Sequence, residues 1–228
     1  MLLGQAVMVN WSDVAEADRA EYYAWHGPEH MVGRVSLPGF LRGRRFLAQR
    51  ASRDILVLYE VDSIEVLKGA DYLAKANSPS PLTQRTTKLI HNSARALACV
   101  RMTLGIGLGG VVLTLRFEAE DHKAEALERY LAEKALVRVS QMPGIVGAHL
   151  CIADKEVSSI VPAERHGRPT TIPNWIVIIE GISIASLERA CDEQLDSEVL
   201  LSNGAMPQIE RDTYSHQLLV LKPVGSAV

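Results

Sequence analysis

The chain says the same thing twice, and this constrains its fold more than any single motif does. Around the first Pro-Gly pair it reads Val32-Gly33-Arg34-Val35-Ser36-Leu37-Pro38-Gly39. Around the second it reads Leu136-Val137-Arg138-Val139-Ser140-Gln141-Met142-Pro143-Gly144. Likewise Leu58-Tyr59-Glu60-Val61-Asp62-Ser63-Ile64 is echoed by Ile178-Ile179-Glu180-Gly181-Ile182-Ser183-Ile184. The Pro-Gly pairs are 105 residues apart and the two glutamates 120. Solenoid repeats run about 20–50 residues, so this period is that of a duplicated folding unit. Residues that one copy has and the other lacks become the first candidates for function.

A chain of 228 residues accommodates one large domain or two of about 110, and its 47% hydrophobic content supports a real core rather than disorder. The formal charge is −3. The densest basic patch, Arg42, Arg44, Arg45, Arg50 and Arg53, alternates with apolar residues as the outer face of a strand would, so no nucleic-acid partner is expected. Cys99, Cys151 and Cys191 are odd in number and far apart, with no C-x-x-C. That pattern argues against a disulfide scaffold or a thiolate zinc site and favours a reducing cytoplasm. Residues 1–9 read as a first strand rather than a signal peptide. The apolar run 104–115 contains four glycines and is well short of the ~20 residues that span a bilayer. No membrane partner is expected.

The first copy parses as β-α-β-β-α-β. A strand at 5–10 is followed by a helix at 14–35, capped by Ser12 or Asp13 and ended by Pro38-Gly39. A hairpin follows at 40–49 and 54–61. Ser63 then caps a helix with Ile64, Leu67, Ala70 and Leu73 on one face, and a strand at 93–103 closes the unit. The second copy repeats the order with strands at 110–117, 147–153, 175–180 and 215–222, and helices at 121–140 and after Ser183. The expected division is 1–104 and 111–228 around a glycine-rich joint at 105–110. That joint lacks the Lys-Ser/Thr of a phosphate loop and precedes a strand, so it does not read as a nucleotide site. The second hairpin carries about 15 extra residues within 154–173, rich in Pro, Gly, Arg and His. Such a segment is either a surface excursion or a lid over a pocket.

Two such units, each a sheet with helices on one face, bury their free faces best against each other. The fold class is therefore α+β, and the element order resembles the dimeric α+β barrel superfamily, here with two ferredoxin-like halves fused in tandem. Within the first helix, Trp25, Glu29 and His30, followed by Pro38-Gly39-Phe40, match the W-x(3)-E-H segment and Pro-Gly-Phe turn of its EthD-like and stress-responsive members. The resemblance implies a pocket between helices and sheet and further association of the fused pair. It does not choose among the superfamily's polyketide cyclases, lactone isomerases, cofactor-free quinol monooxygenases and haem proteins.

The residues themselves add chemistry. His26 and His30 are four apart and share a helix face. Pro28 lacks an N–H and clashes with the carbonyl four residues back, so a kink or a new start is expected there. At an offset of 104, Trp25, His26, Glu29 and His30 fall opposite Arg129, Tyr130, Glu133 and Lys134, so the imidazoles belong to one copy only. His30 and then His26 are the catalytic candidates, titrating at about 5.5–7.5, unless they form a surface or capping cluster. Glu29 is the orienting partner. Tyr22, Trp25, Tyr59 and Tyr72 are expected to line the pocket, and a tyrosine hydroxyl or Arg44 to steady an oxyanion.

A metal on His26, Glu29 and His30 would need a further ligand such as His91 or His216, so neither metal nor other cofactor is expected. The leading reading is histidine acid/base chemistry of the isomerase, cyclase or lyase type, on an apolar or aromatic carbonyl, lactone or phenol. The alternatives are a non-catalytic ligand-binding or stress-response barrel, and a monooxygenase that is cofactor-free or haem-dependent.

Overall fold

Every residue of Ile55–Val61 is buried, and alternate side chains enter different cores. Ile55, Val57, Tyr59 and Val61 pack under helices, whereas Leu56 and Leu58 join Val7, Val9, Trp11, Phe46, Ile176, Ile178 and Tyr214 in a second core. Successive side chains of a strand point to opposite faces. A strand with no wet face must lie in a sheet covered on both sides, and here the second cover is the sheet's own far wall.

The computed structural model describes residues 1–222. The first repeat comprises β1 (Ala6–Val14), α1 (Arg19–Trp25), a π-helical segment His26–Met31, α2 (Val32–Val35), β2 (Phe40–Arg50), β3 (Ile55–Val61), α3 (Ala70–Asn77), α4 (Pro81–Thr86) and β4 (Ile90–Gly105). The second comprises β5 (Val111–Phe117), α5 (Ala124–Tyr130), a π-helical segment Leu131–Ala135, α6 (Leu136–Ser140), β6 (Ile145–Ala153), α7 (Lys155–Ser158), β7 (Thr170–Thr171), β8 (Trp175–Gly181), α8 (Ile184–Gln194), α9 (Ser197–Ser202) and β9 (Glu210–Leu221).

The strands run β1-β3-β2-β9-β5-β8-β6-β4, and β4 pairs back onto β1, closing an eight-stranded barrel. Antiparallel ladders join all of these neighbours. The long last strand of each repeat makes the closure. The start of β4 pairs with β1 and its end with β6, while β9 spans β5 and β2. The tandem α+β barrel inferred from the duplication is the fold observed. Among the described residues no helix is long and apolar enough to cross a membrane.

The barrel interior holds charge as well as hydrocarbon. Arg44 bonds Glu180 at 2.8 and 3.0 Å and Glu60 at 3.1 Å, while Arg42 bonds Glu60 at 2.7 Å. Each glutamate also accepts a backbone N–H from the segment just ahead of its own repeat's first strand, Leu3 to Glu60 at 2.6 Å and Gly109 to Glu180 at 3.0 Å. The Glu60/Glu180 echo is thus a symmetric lock on the two chain entries. Farther along the barrel Arg116 pairs with Asp212 beneath the Trp11 ring. Arg42, Arg44 and Arg45 of β2 are therefore not part of an exposed patch, since all three are buried, whereas Arg50 at the strand's end is exposed.

Other local expectations shift. Ser12 and Asp13 belong to β1, and Asp13 accepts from the Asp54 backbone and the Asn92 amide instead of capping a helix. The segment after Ser63 is a 3-10 turn without a side-chain cap, whereas Ser183 does cap α8 through the Ser186 N–H. Pro28 does not start a new helix. The wider π turn across His26–Met31 accommodates it, and such insertions recur at functional sites.

Candidate functional site

The first helix carries its aromatic residues on the face toward the sheet, because Tyr22, Trp25, His26 and Met31 are all buried there. The rings stack in sequence, with Tyr22 on His26 at 4.8 Å, His26 on His30 at 5.4 Å and His30 against Trp25 at 4.7 Å between centroids. The Trp25 indole N–H donates to Thr83 Oγ1 at 3.0 Å, which fixes the stack against α4. Opposite it on the sheet, Tyr59 pairs in register with Gly43. A Cβ at position 43 would lie 2.9 Å from the Tyr59 ring, so glycine is what lets that ring lie over the strand.

These residues enclose a cavity of about 60 Å3, lined among others by Tyr22, Trp25, His26, His30, Tyr59 and Tyr72. Residues expected to form a pocket from six separate positions in the sequence therefore line one cavity. Two expected members lie elsewhere. Glu29 accepts from the Ser80 and Thr83 hydroxyls at 2.6 and 3.1 Å, so it holds the start of α4 and does not orient a histidine. Arg44 projects from the opposite face of β2 into the barrel and cannot reach a ligand here. The neighbouring Arg45 projects outward instead, 3.1 Å from His26 Nδ1.

The cavity opens toward a cleft of about 1020 Å3 that shares Thr87, Ile90, Ser93, Glu164 and Arg168 with it. Three of the walls come from the second repeat. Its insertion, residues 154–173, crosses onto the first repeat and contributes Glu164, Arg165 and Arg168 to the lining. Four contacts hold it there. Val157 joins the first repeat's helix–sheet core, and Ser158 Oγ bonds both the N–H and the carbonyl of Leu97 at 3.0 Å. The Ala163 N–H donates to Asn77, and β7 adds a short parallel ladder to Ser93 and Ala94 of β4. Glu164 also pairs with the buried Arg34. Sequence reasoning passed over Arg34, Arg95, Arg165 and Arg168. The signal for two of them was the Arg content of the insertion, and for Arg95 a lone charge within an alanine-rich strand.

In the second repeat the corresponding positions are filled among the described residues. Its helix start, Ala124, lies 105 residues after Arg19, so Tyr22 and His26 correspond to Leu127 and Leu131. Both leucines are fully buried with Phe117, Trp175 and Leu150. The 104-residue offset holds only beyond the π segments, which have six residues in the first copy and five in the second. Aliphatic side chains fill in one copy what imidazoles and a cavity occupy in the other.

Electrostatics make both histidines neutral. Burial, then the Arg45 guanidinium, hold His26 well below its ordinary value. For His30 burial acts first, then Arg34, His26, Arg168 and Lys75. An arginine has no acceptor to offer, so His26 Nδ1 is the acceptor and its proton sits on Nε2. Titration is therefore displaced downward from the ordinary imidazole value on which the expectation from sequence rests. Burial raises the Tyr22 and Tyr59 hydroxyls, so both stay protonated. Burial, Arg95 and Arg168 together pull Arg165 down to about 9.

The sign of the pH dependence follows. An unfolded histidine takes a proton near pH 6.5, but folded His26 and His30 take theirs only at much lower pH. Between those values the unfolded chain binds more protons, so stability is complete above about pH 6.5 and declines as pH falls below it. Urea unfolding between pH 7.5 and 5 should show this slope, and the slope should be shallower in His30→Gln. The loss of carboxylate interactions, such as that of Glu180, whose pKa is lowered, belongs to a separate window below about pH 4.5.

Among the described residues no three His, Cys, Asp or Glu side chains converge as a metal site requires. His216 stands against Phe46 and His91 faces the cleft, so neither joins His26 and His30.

No protein-family profile matches the chain, and no curated protein does. Its likeness is to solved structures. An anthrone oxidase-like protein superposes with a TM-score of 0.65 at 12% identity, over 98% of this chain and 96% of that one. A protein from Fusobacterium nucleatum named as a monooxygenase gives 0.61 at 8% identity, over 97% and 96%. One of the same description from Lactobacillus acidophilus gives 0.59 at 13%, over 96% and 97%. At these identities the likeness is one of fold: this chain shares, end to end, the α+β barrel architecture of monooxygenase-like proteins.

Proposed function

We propose that this chain is a small-molecule enzyme that takes a proton from a phenolic or enolisable carbonyl substrate, with His30 as the base. One observation carries the reading. The His30 ring is neutral, lines a cavity with aromatic walls that opens to the cleft, and has neither nitrogen engaged by a protein partner among the described residues. A neutral imidazole with a free lone pair is a general base. His26 stacks on it and fixes its plane. The Tyr59 hydroxyl is buried, protonated and without a partner, and buried donors are rarely left so. It would donate to the oxygen on which negative charge develops, where a preorganised donor in a dry site acts most strongly. The Trp25/Glu29/His30 motif of the EthD-like resemblance fits this arrangement, with Glu29 supporting α4.

Return of the proton to a different atom would make the reaction an isomerisation; attack of the anion on a carbonyl carbon of the same molecule, whose oxygen then takes the proton, would make it a cyclisation. A second reading uses the same first step. The solved structures named as monooxygenases and as anthrone oxidase-like favour capture of the anion by dioxygen. An anthrone would then become an anthraquinone, with one oxygen atom entering the product and the other leaving as water. No cofactor is needed for either course.

Anthrone in deuterated buffer separates the possibilities. Under argon the wild-type protein should accelerate deuterium exchange at the acidic methylene, read by proton NMR, and His30→Gln should not. In air, one dioxygen consumed per anthraquinone formed identifies the oxygenase, and exchange without uptake identifies the isomerase type. Equal exchange by wild type and His30→Gln would remove His30 from the chemistry, and a ligand that binds without exchange would make the barrel a carrier.

A further inference from the structure

The cavity's positive charge is out of balance. Four arginines line it, Arg34, Arg95, Arg165 and Arg168, against a single carboxylate, Glu164. Glu164 is already committed to Arg34. Of the remaining three, Arg95 is only 4% exposed. Each uses one protein acceptor, and every acceptor is neutral. Arg95 donates to the Tyr72 hydroxyl at 2.8 Å, Arg165 to Thr170 Oγ1 at 2.9 Å, and Arg168 to the Glu164 carbonyl at 3.0 Å. A guanidinium has five N–H donors, so most of these have no protein acceptor among the described residues. Ser93 Oγ, buried in the same lining, also has no partner. Arg95 is buried and Arg165 and Arg168 are half-buried; a buried cation without a counter-charge is costly, and the three converging from β4 and the insertion mark a place where an anion completes the structure.

We propose that Arg95, Arg165 and Arg168 form a carboxylate-binding subsite, and that the substrate is a small aromatic or enolic carboxylate. Its carboxylate would sit on these guanidinia while its acidic O–H or C–H meets His30. The inference rests on the cavity being the substrate site, as proposed above. A carboxylate is favoured over a bulkier anion because a planar guanidinium fork matches it in two parallel hydrogen bonds, and because the space is small. The neutral tyrosine and tryptophan walls then suit a ring attached to that carboxylate. The subsite also gives the insertion a purpose. The second repeat supplies two of the three cations, so the site is complete only in the fused chain.

Benzoate and benzamide test this, being alike in shape and different in charge. Binding is followed by calorimetry and by thermal shift on wild type, His30→Gln, Arg168→Met and the Arg165→Met/Arg168→Met double variant. Benzoate should bind wild type and His30→Gln, and benzamide should bind both at least about tenfold more weakly, the loss of a charge-assisted hydrogen bond. The double variant should bind benzoate at least about a hundredfold more weakly, the loss of two charge-assisted hydrogen bonds, with Arg168→Met intermediate. Equal binding of benzoate and benzamide to wild type, or inorganic phosphate binding as well as benzoate, would overturn the carboxylate subsite, and that comparison needs no variant to fold. Undiminished benzoate binding by the double variant would overturn the residue assignment. In each of these cases anthrone exchange through His30 would stand or fall separately.

Discussion

Replacing Arg44 by methionine is expected to destabilise the protein by about 3–5 kcal/mol, the range for breaking a buried ion pair from one side. The reason lies in what stays behind. Glu60 and Glu180 are both fully buried, and among the described residues Arg44 is the one cation that pairs with both. Without it Glu60 retains Arg42, but Glu180 keeps only the Gly109 N–H and a neutral His149 at 3.5 Å. Burial pushes the Glu180 carboxyl up, but the nearby His149 ring and the Arg44 guanidinium outweigh it and hold its pKa low, so its ionised form is the one the fold is built around. The double variant Arg44→Met/Glu180→Gln should lose clearly less than the sum of its single variants, because it leaves no unpaired charge. Denaturant titration of the four proteins gives both numbers. If Arg44→Met alone costs less than about 1 kcal/mol, the network is not what closes the barrel.

The second large effect is on turnover. His30→Gln keeps size and hydrogen bonding but removes the base, and a positioned general base contributes about 10²–10⁴-fold. kcat should fall by that factor with little change in carboxylate binding, since the anion subsite is separate from the ring. The pH profile carries more information. Activity needs the neutral imidazole, so it falls as pH drops through the His30 pKa, which lies well below 6.5 in the free protein. Arg34 from α2, Lys75 from α3, Arg168 from the insertion and His26 from the same helix all act on that ring. A bound carboxylate offsets part of this positive field. The acid limb of kcat, which reports the complex, should therefore lie at higher pH than the limb of kcat/KM, which reports the free enzyme. Coincident limbs would mean that no anion sits near His30.

Much of the architecture was legible from the duplication alone, because Pro38-Gly39 and Pro143-Gly144 end the same helix and Glu60 and Glu180 occupy the same strand position. The helix motif was legible too, since His26 and His30 share a face whether the turn is α or π. What could not be read was which face of β2 is inside. Alternation separates Arg44 from Arg45, but when both faces of a strand are covered, polarity no longer points to solvent. Sequence alone therefore assigns Arg44 to the pocket and Arg45 only to a basic patch, whereas Arg44 points into the barrel and Arg45 meets His26. Glu29 was misplaced because its partners, Ser80 and Thr83, lie on a short helix with no periodic signal. The length of the insertion at 154–173 was visible, but its landing place, against Arg34, Asn77 and β4, is a contact of high sequence separation that no local pattern encodes.

The central claim is that one repeat holds the site and the other completes it. A crystal of the full chain soaked with 4-bromobenzoate tests it most directly, because the bromine's anomalous signal locates the ring without bias. The account predicts one site per chain, between the first repeat's helices and its sheet, with the carboxylate on Arg95, Arg165 and Arg168 and the ring toward His30. Bromine beneath α5 in the second repeat, or inside the barrel beside Arg44 and Glu180, would contradict it.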